Sequence, residues 1–272
     1  MKLKDLWRKK KKKQWEPGGT TVVVFAGGMG TQIIQAAVYF SLRQAGERVR
    51  AALRYFDTEA RMSQVGEKGR PTHWFWQLDQ YGLTRESFEH ANADELSRGY
   101  MLADGLEMGL LALPALADPR IQQHFVPRDL GALHMPPVAS EQFLCIHVRR
   151  GDYVNVASHL VTDEEFLDLG RKFSGLVDHA VLLSDSPFEA GFKAQMDGIF
   201  RSVSYLDQLD PYSSHWLMRH ARILVCSNST YSLTAALLNP KALVVMPKRW
   251  FGPKDQAIEA PIQDLCRFQV MS

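Results

Sequence analysis

The chain has 272 residues, of which 46% are hydrophobic and 23% are charged; these fractions are typical of soluble globular proteins and exclude disordered, collagen-like and coiled-coil chains. Its three cysteines are widely spaced, which excludes a disulfide framework and a zinc site and favours a reducing, cytoplasmic compartment. The net charge is +2, but residues 1–13 alone carry +7, which leaves −5 for the remainder and excludes a basic nucleic-acid-binding domain.

Residues 1–17 are predicted to form a basic tail ahead of the folded chain. Leu3, Leu6 and Trp7 are spaced as on one face of a helix and lie among lysines and an arginine. One interpretation is a peripheral contact of residues 1–13 with an anionic bilayer, in which each nearby basic side chain contributes about 1 kcal/mol. The other interpretation is a solvated, disordered arm. No apolar run is long enough to predict a membrane-spanning helix.

The folded part opens with a strand, a glycine-rich turn and a helix. Residues 20–25 form a β-branched run typical of a buried parallel strand, residues 27–30 are the turn, and residues 31–45 have the periodicity of an amphipathic helix. Residues 48–53 predict the next strand. This βαβ order predicts a Rossmann-like domain over residues 18–135.

The middle of the chain, residues 56–132, has no clear periodicity, and residues 133–140 contain two prolines and predict an interdomain linker. The alternation of strands and helices then restarts. Strands are predicted at residues 142–148, 180–184, 222–226 and 242–246, and helices at residues 163–173, 187–196, 212–220 and 230–238. These elements predict a second Rossmann-like domain over residues 136–272, so the expected fold is α/β, with two Rossmann-like domains facing a central cleft.

The densest polar cluster, His147 to Tyr153, follows a predicted buried strand. In open α/β sheets, ligands bind outside the carboxyl ends of the strands. Arg149 and Arg150 are adjacent guanidiniums beside Gly151, a pattern that predicts bidentate binding of a pyrophosphate. The alternative is that the two arginines pair with Asp152 and other nearby acids.

A second polar cluster, residues 227–232, opens a predicted helix directly after another buried strand. Hydroxyls, an amide and backbone N–H groups at a helix N-terminus favour an anion, although the same residue types also form ordinary N-caps. The candidate ligand contacts in this cluster are Ser227, Asn228, Ser229 and Thr230.

The glycine-rich turn supplies a third set of candidates, namely Gly28, Gly30, Thr31 and Gln32. A dinucleotide fingerprint would need glycine where Ile33 stands, so NAD binding is only weakly supported. Glycine nevertheless lets a ligand approach the backbone closely.

Asp185 follows a further predicted strand, where it is either a ligand contact or a helix cap. No Asp-x-Asp motif lies in a strand-end loop, so no metal site is expected, and arginines would neutralise a diphosphate leaving group. The pattern favours a metal-independent transferase that uses a nucleotide diphosphate.

Three motifs, HVRRGDY at 147–153, SNSTYS at 227–232 and GGMGTQIIQA at 27–36, stand in the order and spacing of α-1,2-fucosyltransferases of glycosyltransferase family 11. The chain resembles this family over about residues 20–250. The resemblance implies a GT-B-like architecture whose C-terminal domain holds GDP-fucose. It also implies inverting, metal-independent transfer of L-fucose from GDP-β-L-fucose to a sugar hydroxyl in α-1,2 linkage, with the donor substrate and no separate cofactor.

Residue roles come with the resemblance. It implies that Arg149 and Arg150 bind the pyrophosphate and stabilise the charge that develops on GDP, while His147 and Asp152 shape that site. It further implies that residues 227–230 hold phosphate or nucleotide and that residues 28–32 face the reaction centre. Asp152 is also a candidate general base, together with His159 and Asp185.

The chain departs from the family pattern at Thr31, at Leu233-Thr234 and at Ser214, where the family has asparagine, paired tryptophans and aspartate. Another GDP-sugar as donor, or a non-catalytic nucleotide-binding homologue, therefore remains an alternative. The expected acceptor is a glycan of a cell-surface polysaccharide or lipopolysaccharide, lipid-linked in one interpretation, at the cytoplasmic face of the membrane.

Overall fold

The computed structural model describes residues 19–57, 75–103, 105–136, 142–155, 160–247 and 268–270. The chain divides into two compact units, residues 1–128 and 129–272, whereas the boundary predicted from the sequence lies between residues 135 and 136. The predicted basic tail and its membrane contact lie outside the described residues. None of the described helices is both long and apolar enough to cross a bilayer.

Unit 1 is built on a small parallel sheet. Its strands are β1 (Thr21–Val24), β2 (Val49–Ala52) and β3 (Tyr100–Leu102), in the order β2-β1-β3. Its helices are α1 (Met29–Gln44), α2 (Ala93–Arg98), α3 (Gly105–Ala117) and α4 (Pro119–Gln122). Thr21 of the central strand pairs with Val49 on one side and with Tyr100 on the other.

The opening of unit 1 matches the predicted βαβ order, with α1 beginning two residues earlier than expected. The elements within residues 56–132 were not predicted, and two of them have a clear physical reason. Helix α3 is apolar on nearly all sides and contains Pro114, so it lacks a polar face that would give a period. Helix α2 is short, although Asn92 and Glu95 form a capping box that marks its start.

Unit 2 is built on a six-stranded parallel sheet in the order β6-β5-β4-β7-β8-β9. The strands are β4 (Phe143–Val148), β5 (His179–Ser184), β6 (Ser202–Leu206), β7 (Ile223–Val225), β8 (Leu243–Met246) and β9 (Phe268–Val270). The helices are α5 (Asp163–Phe173), α6 (Ala190–Asp197), α7 (Pro211–Met218) and α8 (Thr230–Leu237). Counted within the unit, this is the 3-2-1-4-5-6 order of a Rossmann fold.

The α/β fold and its Rossmann-like character are therefore confirmed, and how the two units face each other stays a prediction. Strand β6 was not predicted because it lies at the edge of the sheet, and its residues are half-exposed rather than apolar. By contrast, β4 is buried at all six positions. The predicted helix at 163–173 has the predicted bounds, and Thr162 caps it through a capping box with Glu165.

Gly99 provides a test of the packing in unit 1. A Cβ at this position would overlap the backbone carbonyl of Glu95 and lie 2.8 Å from Cγ2 of Val22 in β1. We expect Gly99→Ala to destabilise the protein by about 1–3 kcal/mol, because backbone cannot move aside. Urea unfolding would measure the change.

Gly191, at the start of α6, is the matched control, since a Cβ there would meet nothing within 4 Å. Gly191→Ala should leave stability unchanged or raise it by up to about 1 kcal/mol, because alanine favours a helix. Equal unfolding midpoints for the two variants would contradict the packing argument.

Candidate functional site

The candidate residues of unit 2 gather at the carboxyl ends of three neighbouring strands. Arg149 and Arg150 follow β4, Asp185 follows β5, and residues 227–230 follow β7. The chain runs from β4 outwards through β5 and β6 and then returns to the opposite side of β4 as β7. This place, where the strand order reverses, is the usual ligand-binding crevice of an open α/β sheet.

His147 joins the two strands on either side of this point. Its ring Nδ1 lies 2.8 Å from Oγ of Ser227, and the two atoms share a hydrogen bond. Both residues are buried. Burial lowers the pKa of His147 to about 4; nearby Asp185 raises it and Arg149 lowers it, both more weakly. The imidazole is therefore neutral near pH 7, and its bond to Ser227 fixes the start of the second polar cluster beside β4.

A second buried histidine, His215, packs against the same tyrosine ring as His147. The ring centroid of Tyr231 lies 5.4 Å from that of His147 and 5.3 Å from that of His215. Nε2 of His215 lies 3.2 Å from Oγ1 of Thr234. Burial lowers the pKa of His215 well below its ordinary value, with smaller contributions from Arg219 and His147. Both rings are thus held in the uncharged state by the core.

Arg149 is bound to Asp185. Its Nη1 lies 2.7 Å from Oδ2 of Asp185, and its guanidinium lies over the ring of Tyr153 at 5.3 Å. The other carboxylate oxygen, Oδ1, accepts a hydrogen bond of 2.8 Å from the backbone N–H of Arg150. Asp185 therefore holds both the side chain and the backbone of the loop that follows β4.

The side chain of Arg150 has different partners from that of Arg149. Its Nη1 donates to the carbonyl of Val161 at 2.7 Å, its Nη2 pairs with Asp163, and its guanidinium lies over the ring of Phe166. The structure thus brings the two arginines to the same strand end but directs one to β5 and the other to α5. Both arginines pair with acids, as in the alternative interpretation of the motif, and among the described residues these acids are Asp185 and Asp163.

Asp152 lies in a short 3-10 helix, Gly151–Asn155, directly after the arginines. Its side chain, like all of His159, lies outside the described residues, so its predicted roles stay predictions. Tyr153, which contacts Arg149, was quoted within the motif but was not singled out, because an aromatic ring beneath a guanidinium has no distinctive sequence signal.

The cluster at residues 227–232 forms an N-terminal cap of α8. Ser229 accepts a hydrogen bond from the N–H of Tyr231, and its own N–H donates to the carbonyl of Ser227. Oγ of Ser232 donates to the carbonyls of Ser227 and Ser229. Ser227, Asn228 and Ser229 are buried and Thr230 is half-buried. The capping and ligand-binding interpretations are compatible, because a rigid cap fixes where its N–H groups point.

The glycine-rich turn lies at the carboxyl end of β1 in unit 1. Gly27 has a φ of +76°, a left-handed conformation that favours glycine, and Gly28 is the N-cap of α1. Gly30 is buried in the first turn of the helix, and Thr31 is half-buried and packs on Gly27.

Gln32 is buried, and its amide is bonded to backbone. Its Nε2 donates to the carbonyls of Gly27 and Phe75, at 2.8 and 2.9 Å, and its Oε1 accepts from the N–H of Gln77 at 2.9 Å. The side chain therefore ties residues 75–77 to the glycine turn. The direct substrate contact that we expected of Gln32 would require these bonds to open.

Ser214, one of the departures from the family pattern, lies within α7. Its Oγ donates to the carbonyl of Leu209 at 3.3 Å, and the helix is capped by Asp210, which accepts from the N–H groups of Tyr212 and Ser213. Among the residues that the structure describes, no group of three or more His, Cys, Asp or Glu side chains is placed to hold a metal ion.

No protein-family model matches the sequence. No curated protein matches it at a significant level.

The chain is similar to several solved structures. The fucosyltransferase NodZ from Bradyrhizobium is 12% identical, with a TM-score of 0.40 over 83% of this chain and 95% of that one. POFUT1 in complex with GDP-fucose is 12% identical, with a TM-score of 0.43 over 84% and 96%. The E. coli heptosyltransferase WaaC with ADP is 13% identical, with a TM-score of 0.47 over 90% and 99%.

Replacing Gln32 tests its role in unit 1. Gln32→Ala leaves the carbonyls of Gly27 and Phe75 and the N–H of Gln77 without their partner, so we expect a loss of about 3 kcal/mol in the free energy of unfolding. Gln44→Ala, at the exposed end of the same helix, is the control and should change it by less than about 0.5 kcal/mol. Similar urea midpoints for both variants would show that the three hydrogen bonds of Gln32 contribute little to stability.

The neutral state of His147 predicts a pH dependence of stability. A histidine in an unfolded chain has a pKa of about 6.5, whereas burial lowers the pKa of His147 to about 4. Between these values the unfolded chain binds a proton that the folded chain excludes. The stability contributed by the neutral ring is therefore present above about pH 6.5 and lost as the pH falls towards 4.

We expect the stability advantage of the wild type over His147→Asn to shrink on acidification, by up to about 1.4 kcal/mol per pH unit. Asparagine is chosen because its amide can occupy the place of Nδ1 without titrating. His215 is present in both proteins, so its own titration cancels in the difference, apart from the smaller contribution that His147 makes to its pKa. Urea unfolding at several pH values measures the gap, and a constant gap would contradict the buried neutral ring.

Proposed function

We propose that the chain is a glycosyltransferase whose unit 2 binds the diphosphate of a GDP-sugar donor. The observation that carries this proposal is the meeting of Arg149, the Asp185 carboxylate and the capped start of α8 at the reversal of strand order in a Rossmann-like sheet. That place offers the guanidinium of Arg149, which is paired with Asp185, and a helix N-terminus, and both kinds of group bind phosphates in proteins.

The finer assignment rests on the sequence motifs. Their order and spacing resemble those of α-1,2-fucosyltransferases, so we propose that the donor is GDP-β-L-fucose and that L-fucose moves with inversion to a sugar hydroxyl. The acceptor oxygen attacks the anomeric carbon opposite the departing GDP. Arg149 and Arg150 stabilise the charge that grows on the leaving diphosphate, without a metal.

The remaining parts of the site complete the proposal. Ser227, Asn228, Ser229 and Thr230 contact phosphate or nucleotide, and His147 shapes the site through its bond to Ser227. The candidates for the general base that accepts the acceptor's proton are Asp152, His159 and Asp185. The acceptor is a cell-surface glycan, and residues 1–13 bring the protein to the inner face of the membrane.

A different GDP-sugar is the second candidate, and Ser214 favours it. The resemblance implies a carboxylate at this position, whereas here a hydroxyl is bonded to the carbonyl of Leu209. A neutral side chain that is used within its own segment does not bind a donor as a carboxylate does.

Thermal unfolding with added nucleotides tests the donor class. We expect GDP and GDP-fucose to raise the melting temperature by several degrees, since a ligand at about 100 times its Kd stabilises the folded state by about 2.7 kcal/mol. EDTA should leave the shift unchanged, and UDP and NAD should produce none. A larger shift with GDP-mannose than with GDP-fucose would select the second candidate, and no shift with any guanine nucleotide would refute the proposed function.

A further inference from the structure

We infer that Asp185 is a positioning residue that orients Arg149 and the Arg150 backbone for diphosphate binding, rather than a ligand contact or a helix cap. The inference rests on the proposed function, because it concerns the same site. It begins with the two oxygens of one carboxylate. Oδ2 pairs with the Arg149 guanidinium at 2.7 Å, and Oδ1 accepts the Arg150 N–H at 2.8 Å.

The helix after β5 does not use Asp185 as its cap. Helix α6 begins at Ala190, and Glu189 occupies its N-cap position. The turn between them is closed nearer the strand, where the N–H of Ser186 donates to Oγ of Ser184 at 3.1 Å. The carboxylate of Asp185 is therefore directed across the sheet, towards the loop after β4.

Gly151 shows that this loop is built around the carboxylate. A Cβ at residue 151 would lie 2.5 Å from Oδ2 of Asp185 and 3.6 Å from Cζ of Arg149. The φ of Gly151 is +26°, in the left-handed region that favours glycine. The carboxylate and the guanidinium thus meet directly against the glycine backbone, in space that any other residue would fill.

Burial allows the Arg149–Asp185 ion pair to hold the guanidinium in one orientation. The side chains of Arg149 and Asp185 are 17% and 24% exposed, so their attraction is less screened than that of a surface pair. An arginine side chain carries about 2 kcal/mol of rotamer entropy, which it loses when it is fixed on a ligand. Because Asp185 already holds Arg149, this entropy is lost on folding and not on binding, so a diphosphate binds to a preorganised guanidinium.

A positioning role for Asp185 and a purely electrostatic effect of its charge predict opposite changes in anion affinity when the carboxylate is neutralised. Neutralising an acidic group beside an anion site strengthens anion binding if only charge matters. Loss of positioning weakens it. We expect Asp185→Asn, which keeps an acceptor for the Arg150 N–H but removes the charge that holds Arg149, to weaken GDP binding by about tenfold or more.

A double-mutant cycle shows whether the effect passes through Arg149. Calorimetric titration of GDP and of inorganic pyrophosphate would compare the wild type, Asp185→Asn, Arg149→Ala and the double variant. In the Arg149→Ala background, Asp185→Asn should change the Kd by less than about twofold, because the group it positions is gone. Independent, multiplying effects, or tighter binding by Asp185→Asn, would overturn the inference.

Gly151→Ala tests the same contact by placing a methyl group against the carboxylate of Asp185. It should displace the carboxylate and weaken binding of both ligands in the same direction, while Gly191→Ala, with open space around its Cβ, should bind like the wild type. Far-UV circular dichroism and melting temperatures without ligand would confirm that each variant is folded. Unchanged affinity in folded Gly151→Ala would count against the inference.

Pyrophosphate separates this inference from the proposed function. If pyrophosphate binds with the expected dependence on Asp185 and Arg149 but GDP does not bind, the positioning role stands and the GDP-sugar proposal falls. If GDP binds and Asp185→Asn does not weaken it, the proposed function stands and the positioning role falls. If the wild type binds neither ligand, both are overturned.

Discussion

Burial of β4 on both faces is the constraint on which the arrangement of unit 2 depends. All six of its residues are buried, and β5 and β7 pair with it on either side. A strand in this position can expose polar groups only where it ends, so Arg149 and Arg150 emerge at its carboxyl end beside Asp185 and Ser227. His147, which is still inside the strand, must be satisfied internally, and Ser227 provides that partner.

The charges of this region are balanced before any ligand arrives. Arg149 faces Asp185 and Arg150 faces Asp163, so two guanidiniums at one strand end are each held by a carboxylate of a neighbouring element. The two imidazoles in the core are kept neutral by burial. The fixed charges thus lie at the rim of the sheet, and the groups beneath them stay uncharged near pH 7, which lets the core support a charged site without burying unpaired ions.

The local sequence was sufficient for the elements that have a strong pattern. The β-branched run of β1 and the apolar run of β4 each predicted their strand because burial selects residue types directly, and the helix predicted at residues 163–173 has its observed bounds. Strand β6 and helix α3 were missed for the opposite reason. Strand β6 is a half-exposed edge without a continuous apolar run, and helix α3 is apolar nearly all round, so its sequence lacks the regular spacing of polar residues that marks an amphipathic helix.

The sequence by itself determined which polar and charged residues lie at the ends of the strands. It also determined that they share one edge of the sheet, because parallel strands bring their carboxyl ends to the same edge. Only the tertiary structure decided which groups pair. The sequence placed Arg149 and Arg150 side by side, yet neighbouring strands and helices direct them to Asp185 and Asp163, residues 36 and 13 positions further along the chain. It likewise marked Gln32 as a candidate ligand contact, whereas packing against residues 75–77 uses its amide within the fold. Such partners are remote in sequence, and only the register of the sheet and the packing of the core bring them together.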